Sequence, residues 1–229
     1  MGTCKQSIIE AAATVEYKYE ALLQDFHRNK SSLSFVDLAL PSGTLWGDCN
    51  VGADKPSDTG GFFAWGSDKR TVYYGKETYK WFKNNEITKY RIKTKSKITC
   101  DDQLYQLQPE DDTATLLRGN GWRMPYSSDF TELKNNCTMS FVRNFLGTDT
   151  NGLLFISNNN GRSLYLPACG MVKGYKILNQ GECINYWTGD LARNNCAYTM
   201  TSYLEIGLLT RSMTDLYWGL TIRPVRNKV

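Results

Sequence analysis

The chain has 229 residues, 41% hydrophobic and 22% charged, which suits one large globular domain or a domain with an appendage. Its formal charge of +4 is small, and Lys and Arg are mixed with Asp and Glu, which argues against nucleic acid as a partner. No apolar run approaches the roughly 20 residues needed to span a bilayer, so no membrane insertion is expected.

The first stretch has a helical period. Ile8, Ala12, Val15, Tyr19, Leu22 and Phe26 recur at intervals of four and three, with no Pro and no Gly after Gly2 until the stretch ends. This predicts an amphipathic helix over residues 1–32. It packs either on its own domain or on copies of itself, which would make a homo-oligomer through residues 8–26. The acidic residues Glu10, Glu16 and Glu20 follow Ile8 and Ile9 too soon for a secretory signal. The expected location is therefore intracellular or virion-assembled, unless a targeting segment lies outside this sequence. Seven scattered Cys without a C-x-x-C pair read as reduced thiols buried as small hydrophobes.

From residue 33 to 229 the pattern changes to short strands and turns, as in a β-rich or α+β domain. Phe35–Leu38 and Thr44–Val51 read as strands around the Pro41-Ser42-Gly43 turn. Phe62–Trp65 and Tyr73–Phe82 are aromatic runs. Lys89, Arg91, Lys93, Lys95 and Lys97 fall on alternate positions, which predicts one solvated face of a strand. Asp101–Thr115 reads as an acidic loop with room for a short helix. Its Asp101-Asp102 and Asp111-Asp112 pairs are solvated acids, or less readily a calcium site. A helix follows Pro125, capped by Ser127 or Ser128, with Phe130, Leu133 and Cys137 on one face. Asn158-Asn159-Asn160-Gly161 turns a hairpin between residues 152–156 and 162–166. The remaining strands are expected around 185–188, 197–203 and 218–225, with polar loops at 189–195 and 210–215.

The catalytic inventory is thin. His27 is the only histidine, so Ser-His and Cys-His pairs and histidine metal sites have little to draw on. Neither a G-x-x-x-x-G-K-[ST] loop nor G-x-G-x-x-G is present. A binding protein rather than an enzyme is expected, with no cofactor and no metal.

Several short motifs occur in a fixed order. They are Phe35-Val36-Asp37-Leu38-Ala39-Leu40-Pro41-Ser42-Gly43-Thr44-Leu45-Trp46 with Cys49-Asn50-Val51-Gly52-Ala53, then Gly60-Gly61-Phe62-Phe63-Ala64-Trp65-Gly66 and Gly121-Trp122-Arg123-Met124-Pro125. Leu164-Tyr165-Leu166-Pro167-Ala168-Cys169-Gly170, Tyr186-Trp187-Thr188 and Gly219-Leu220-Thr221-Ile222-Arg223-Pro224-Val225 complete the set. The ordered set resembles the Fibrobacter succinogenes major paralogous domain of Bacteroidetes and their phages. It is similar as well to the C-type-lectin-like variable proteins of diversity-generating retroelements.

The resemblance implies an α+β, C-type-lectin-like fold and a ligand-binding protein displayed on a virion or cell surface. Its target would be a protein or a glycan, read by a diversified segment between Trp187 and Arg223. The implied frame is Tyr186, Trp187, Ala197, Tyr198, Gly219, Leu220, Arg223 and Pro224. The implied contact positions begin with Asp190, Arg193, Asn194, Asn195, Thr199 and Thr201. They continue with Tyr203, Arg211, Thr214, Asp215, Tyr217 and Trp218, although Tyr203, Tyr217 and Trp218 also suit the core of the last strands. A fixed structural or adhesive subunit of a phage tail or cell surface is the alternative, and an enzyme related to formylglycine-generating enzymes the remote one. Two departures stand out. Tyr126 holds the place where the family helix usually begins with Thr, and the calcium signatures of sugar-binding lectins are missing.

Overall fold

Gly, Asn and Asp turns divide this sequence into pieces too short for long elements, and the chain folds accordingly. The computed structural model describes residues 35–91, 102–119, 121–193 and 195–228, all within the unit Phe35–Val229. The expected N-terminal helix, His27, Lys93, Lys95, Lys97 and Asn194 lie outside the described residues. The first half holds strands β1 (Phe35–Val36), β2 (Thr44–Gly47), β3 (Phe82–Lys83), β4 (Glu86–Ile87) and β5 (Trp122–Arg123). Two α-helices, α1 (Thr113–Arg118) and α2 (Ser127–Asn136), flank β5. There follow β6 (Cys137–Val142), β7 (Gly152–Ser157), β8 (Ser163–Pro167), β9 (Met171–Lys173) and β10 (Lys176–Leu178). The last four are β11 (Cys183–Leu191), β12 (Cys196–Tyr203), β13 (Thr210–Asp215) and β14 (Val225–Asn227). The described chain is thus β-rich α+β.

Three antiparallel sheets carry the architecture, in the orders β1-β2-β14-β5, β6-β7-β8 and β11-β12-β13, with β3-β4 and β9-β10 as separate hairpins. The Asn-Gly turn forms as expected between β7 and β8. Gly161 takes φ +73° and donates its N–H to Ser157 O at 3.0 Å. Strand β11 is buried on both faces, so its alternate residues serve two cores. Trp187 packs with Phe63, Trp65, Tyr79, Tyr90 and Leu220. Tyr186 packs with Trp46, Phe130, Leu133, Leu164 and Leu166.

The ordered motifs meet in space. The indole N–H of Trp65 donates to Thr188 O, and that of Trp187 donates to Phe63 O, each at 2.7 Å. Arg223 is 0% exposed, and its Nε donates to Asn50 Oδ1 at 2.9 Å. Its Nη1 donates to Gly47 O at 3.1 Å and to Asp48 O. This guanidinium fastens the last motif to the first, and β14 lies between β2 and β5 with Val225 opposite both Trp46 and Arg123.

Several local expectations need correction. Strand β2 stops at Gly47, and β14 begins only at Val225, because 218–224 engages in single bridges (Phe63 with Leu220, Tyr186 with Thr221) rather than a ladder. Residues 210–215 form strand β13, not a loop. Lys89 and Arg91 are not on a strand: Tyr90 between them has φ +60°, Lys89 pairs with Asp111 and Arg91 with Glu86. Ser127 and Ser128 sit inside α2 rather than capping it. The exposed N–H groups there go to Asp129, which accepts from Tyr126 N at 2.6 Å, and to Asp190. Of the described thiols, Cys49, Cys137, Cys169 and Cys183 are buried and unbridged as expected, whereas Cys196 is half-exposed. Burial pushes the Cys137 and Cys183 thiols up to about 11.

Truncating Arg223 leaves three oxygen acceptors and a void in the interior. Arg223→Ala is expected to cost at least about 3 kcal/mol by urea unfolding. Arg193→Ala, at an exposed turn, is expected to stay within about 0.5 kcal/mol.

Candidate ligand-binding cleft

The sheet β11-β12-β13 ends in an edge strand whose first four residues, Thr210–Met213, are all exposed. Its register sets Met200 opposite Arg211 and Tyr198 opposite Met213, so Tyr198 and Arg211 are diagonal neighbours on one face. The Arg211 guanidinium lies 4.4 Å from the centre of the Tyr198 ring. Among the described residues no carboxylate pairs with it.

A register shift between Trp187 and Leu191 turns the end of β11 away from the regular ladder. There Asp190 joins three segments. Its Oδ1 accepts from Gln106 Nε2 at 2.9 Å, and its Oδ2 from the backbone N–H of Ser127 at 2.6 Å, at the start of α2. Leu107 N donates to Gly189 O at 2.9 Å, and Leu191 N to Tyr105 O at 2.8 Å, so the stretch Gln103–Gln108 runs beside β11.

Between these segments opens a cleft of about 650 Å³. One wall is Gln103, Tyr105, Gln106 and Gln108, and the floor at α2 is Ser127 and Ser128. The sheet supplies Asp190, Leu191, Tyr198 and Arg211. Ser127 Oγ is buried without a protein hydrogen-bond partner.

The glutamine wall is anchored from behind. Gln108 N donates to Tyr90 Oη at 2.9 Å, and that hydroxyl donates to Asp111 Oδ2 at 2.7 Å. Lys80 and Lys89 reach the same carboxylate at 3.4 and 2.5 Å. Burial raises the Asp111 carboxyl, but the bonds from Lys89 and Tyr90 and the two lysine charges outweigh it, holding it below the ordinary 3.8. Its neighbour Asp112 caps α1, accepting from Ala114 N and Thr115 N, and accepts also from Met124 N. Burial is the larger influence there and holds that carboxyl above 3.8. Asp111 and Asp112 are thus buried structural acceptors, 8% and 5% exposed, rather than solvated acids, and Asp111 is paired with two lysines.

The eleven described contact positions taken from the resemblance do not form one surface. Asp190 and Arg211 line the cleft, and Arg193 and Asn195 are exposed at the β11–β12 turn, Asn195 with φ +62°. Tyr203, 46% exposed, opens instead on a second cleft of about 600 Å³ beside Arg143 and Glu182, at the other end of β12. Tyr217 and Trp218 are half-buried against the Trp187 core, with Lys173 Nζ 4.5 Å from the Trp218 ring. Thr199 is 0% and Thr214 8% exposed, because each points inward from its strand. Neither has surface to offer. Thr201 is half-buried and donates to Asn185 Oδ1, and Asp215 accepts from Cys196 Sγ at 3.6 Å.

Tyr198, expected in the frame, belongs to the cleft. The glutamine wall was missed because Gln103, Tyr105 and Gln106 carry no catalytic or ligand signature in sequence, and Gln108-Pro109-Glu110 is only a faint echo of the lectin calcium motif with no Trp-Asn-Asp after it. Among the described residues no group of three or more His, Cys, Asp or Glu side chains is placed to hold a metal, and no helix is long and apolar enough to cross a membrane. No family model, curated protein or solved structure matches the chain.

Because the folded Asp111 carboxyl is depressed, its contribution to stability is complete above about 3.8 and is lost as pH falls through its lower folded value. Asp112, held above 3.8, contributes in the opposite sense. Asp111→Asn is therefore expected to be less stable than the parent at neutral pH, with the gap closing below about pH 4. Urea midpoints measured from pH 7 to pH 3 would show it; a gap that persists unchanged at pH 3 would contradict the assignment.

Proposed function

We propose that the protein is a ligand-binding display protein with a C-type-lectin-like fold, of the kind that diversity-generating retroelements vary. Its recognition surface lies within Trp187–Arg223 and reads a protein or glycan target. One observation carries this reading: the segment is buried at both ends and along most of β12, and it exposes the β11–β12 turn and the first four residues of the edge strand β13. Trp187, Leu220, Ile222 and Arg223 are 0% exposed, whereas Arg193, Asn195 and Thr210–Met213 face solvent. Side chains there can change without disturbing either core, which is what a rigid scaffold with a variable surface requires.

The convergence of the ordered motifs supports the family reading. The opening, aromatic, Tyr-Trp and terminal motifs bond to one another through Trp65, Trp187 and Arg223, so each has a structural reason to be present. The chemistry of the cleft favours binding over catalysis. Asp190 is committed to two donors, and an arginine keeps its proton at neutral pH. Tyr and Arg are also residues that contribute heavily at recognition surfaces.

Replacing Arg193, Asn195 and Met213 together by serine tests the division. Each change is expected to cost within about 0.5 kcal/mol, and unfolding should stay cooperative, whereas Trp187→Ala alone should abolish the folded state. A collapse of the serine variant would sink the reading. Diversification itself predicts a near-copy of this segment's coding sequence, rich in Asn codons, beside a reverse transcriptase gene. Sequencing the locus decides that point separately from binding.

A further inference from the structure

We infer that the cleft between the Gln103–Gln108 wall and the β12–β13 face binds a saccharide carrying a carboxylate, with Arg211 reading the acid group. The inference rests on the binding-protein reading above and names its ligand class.

Arg211 is the cleft's one guanidinium, and its central carbon lies 4.4 Å from the centre of the Tyr198 ring. A guanidinium held there can grip a carboxylate through two parallel hydrogen bonds. The carboxylate in the lining, Asp190, is turned to Gln106 and to Ser127 N rather than to Arg211. A ligand acid group would thus meet a cation that no carboxylate among the described residues pairs with.

The rest of the lining suits hydroxyl groups. Gln106 Nε2 donates to Asp190 and Gln108 Nε2 donates to Gln106 O, so each carboxamide turns one N–H inward. Their Oε1 atoms remain as acceptors, to which sugar hydroxyls supply donors. The Tyr105 ring, 53% exposed, offers an apolar wall of the type that packs on the C–H face of a sugar. The volume, about 650 Å³, lies within the range of roughly 300–1,000 Å³ usual for small-ligand sites. An acidic peptide fits less well. Protein partners anchor large apolar side chains in apolar pockets, and the lining's one aliphatic side chain, Leu191, is itself 7% exposed.

The test is titration of the full chain, followed by calorimetry and amide NMR shifts, with tri-galacturonate and sialyllactose, their carboxyl-reduced forms, and a glutamate-rich peptide. Saturable binding of at least one acidic sugar is expected, with its reduced form about tenfold weaker or more. Arg211→Met should remove that difference between acid and reduced sugar, while Gln108→Ala weakens both. No saturable sugar binding, equal affinity for acidic and reduced forms, or preference for the peptide would each overturn the inference. None of these touches the display reading, whose failure shows in the unfolding of the serine variant at the turn and edge strand.

Discussion

The buried guanidinium of Arg223 is the interaction on which the rest depends. A charged group carried into the interior is costly unless oxygen acceptors replace its water, and here the acceptors come from Gly47, Asp48 and Asn50. They lie some 170 residues away in sequence, so Nε and Nη1 of the guanidinium find acceptors only when the two ends of the unit are brought together. That closure places β14 between β2 and β5 and brings the stretch 219–223 against Phe63 and Tyr186.

Closure in turn explains why β11 is buried on both faces. Tyr186 and Trp187 point to opposite cores, each completed by residues from distant parts of the chain. A strand held from both sides is a firm support, and the register shift after Trp187 is where the chain leaves it. Asp190 stands at that exit and ties the glutamine stretch and the start of α2 to the sheet. The cleft exists because three segments remote in sequence share this carboxylate. Its fixed walls are therefore scaffold, and its free edge, β13, is where a side chain can be exchanged.

Much of this was legible in sequence, and the failures are instructive. The helix after Pro125 was plain from the spacing of Phe130 and Leu133, but its cap was not: Asp190 reaches Ser127 N from 63 residues away, and no local pattern announces that. Residues 210–215 read as a loop because an edge strand with four exposed residues in a row lacks the alternation that betrays a half-buried one. Tyr198 read as frame because the family resemblance places it there. Only the diagonal placement of Arg211 shows that its ring faces a cleft. Asp111 read as a solvated acid because its partners, Lys80, Lys89 and Tyr90, approach it across 20 to 30 residues of chain.

By itself, the sequence determined the strands around β7, β8, β11 and β12, where the Asn-Gly hairpin turns, and which aromatic motifs build the interior. Those properties follow from local propensity, hydrophobic period and residue type. Tertiary structure alone decided which contact candidates share a surface, setting Arg211 and Asp190 at one cleft, Tyr203 at another, and Thr199 and Thr214 inside. Strand register and the packing of remote segments set those positions, and neither is written in the order of neighbouring residues.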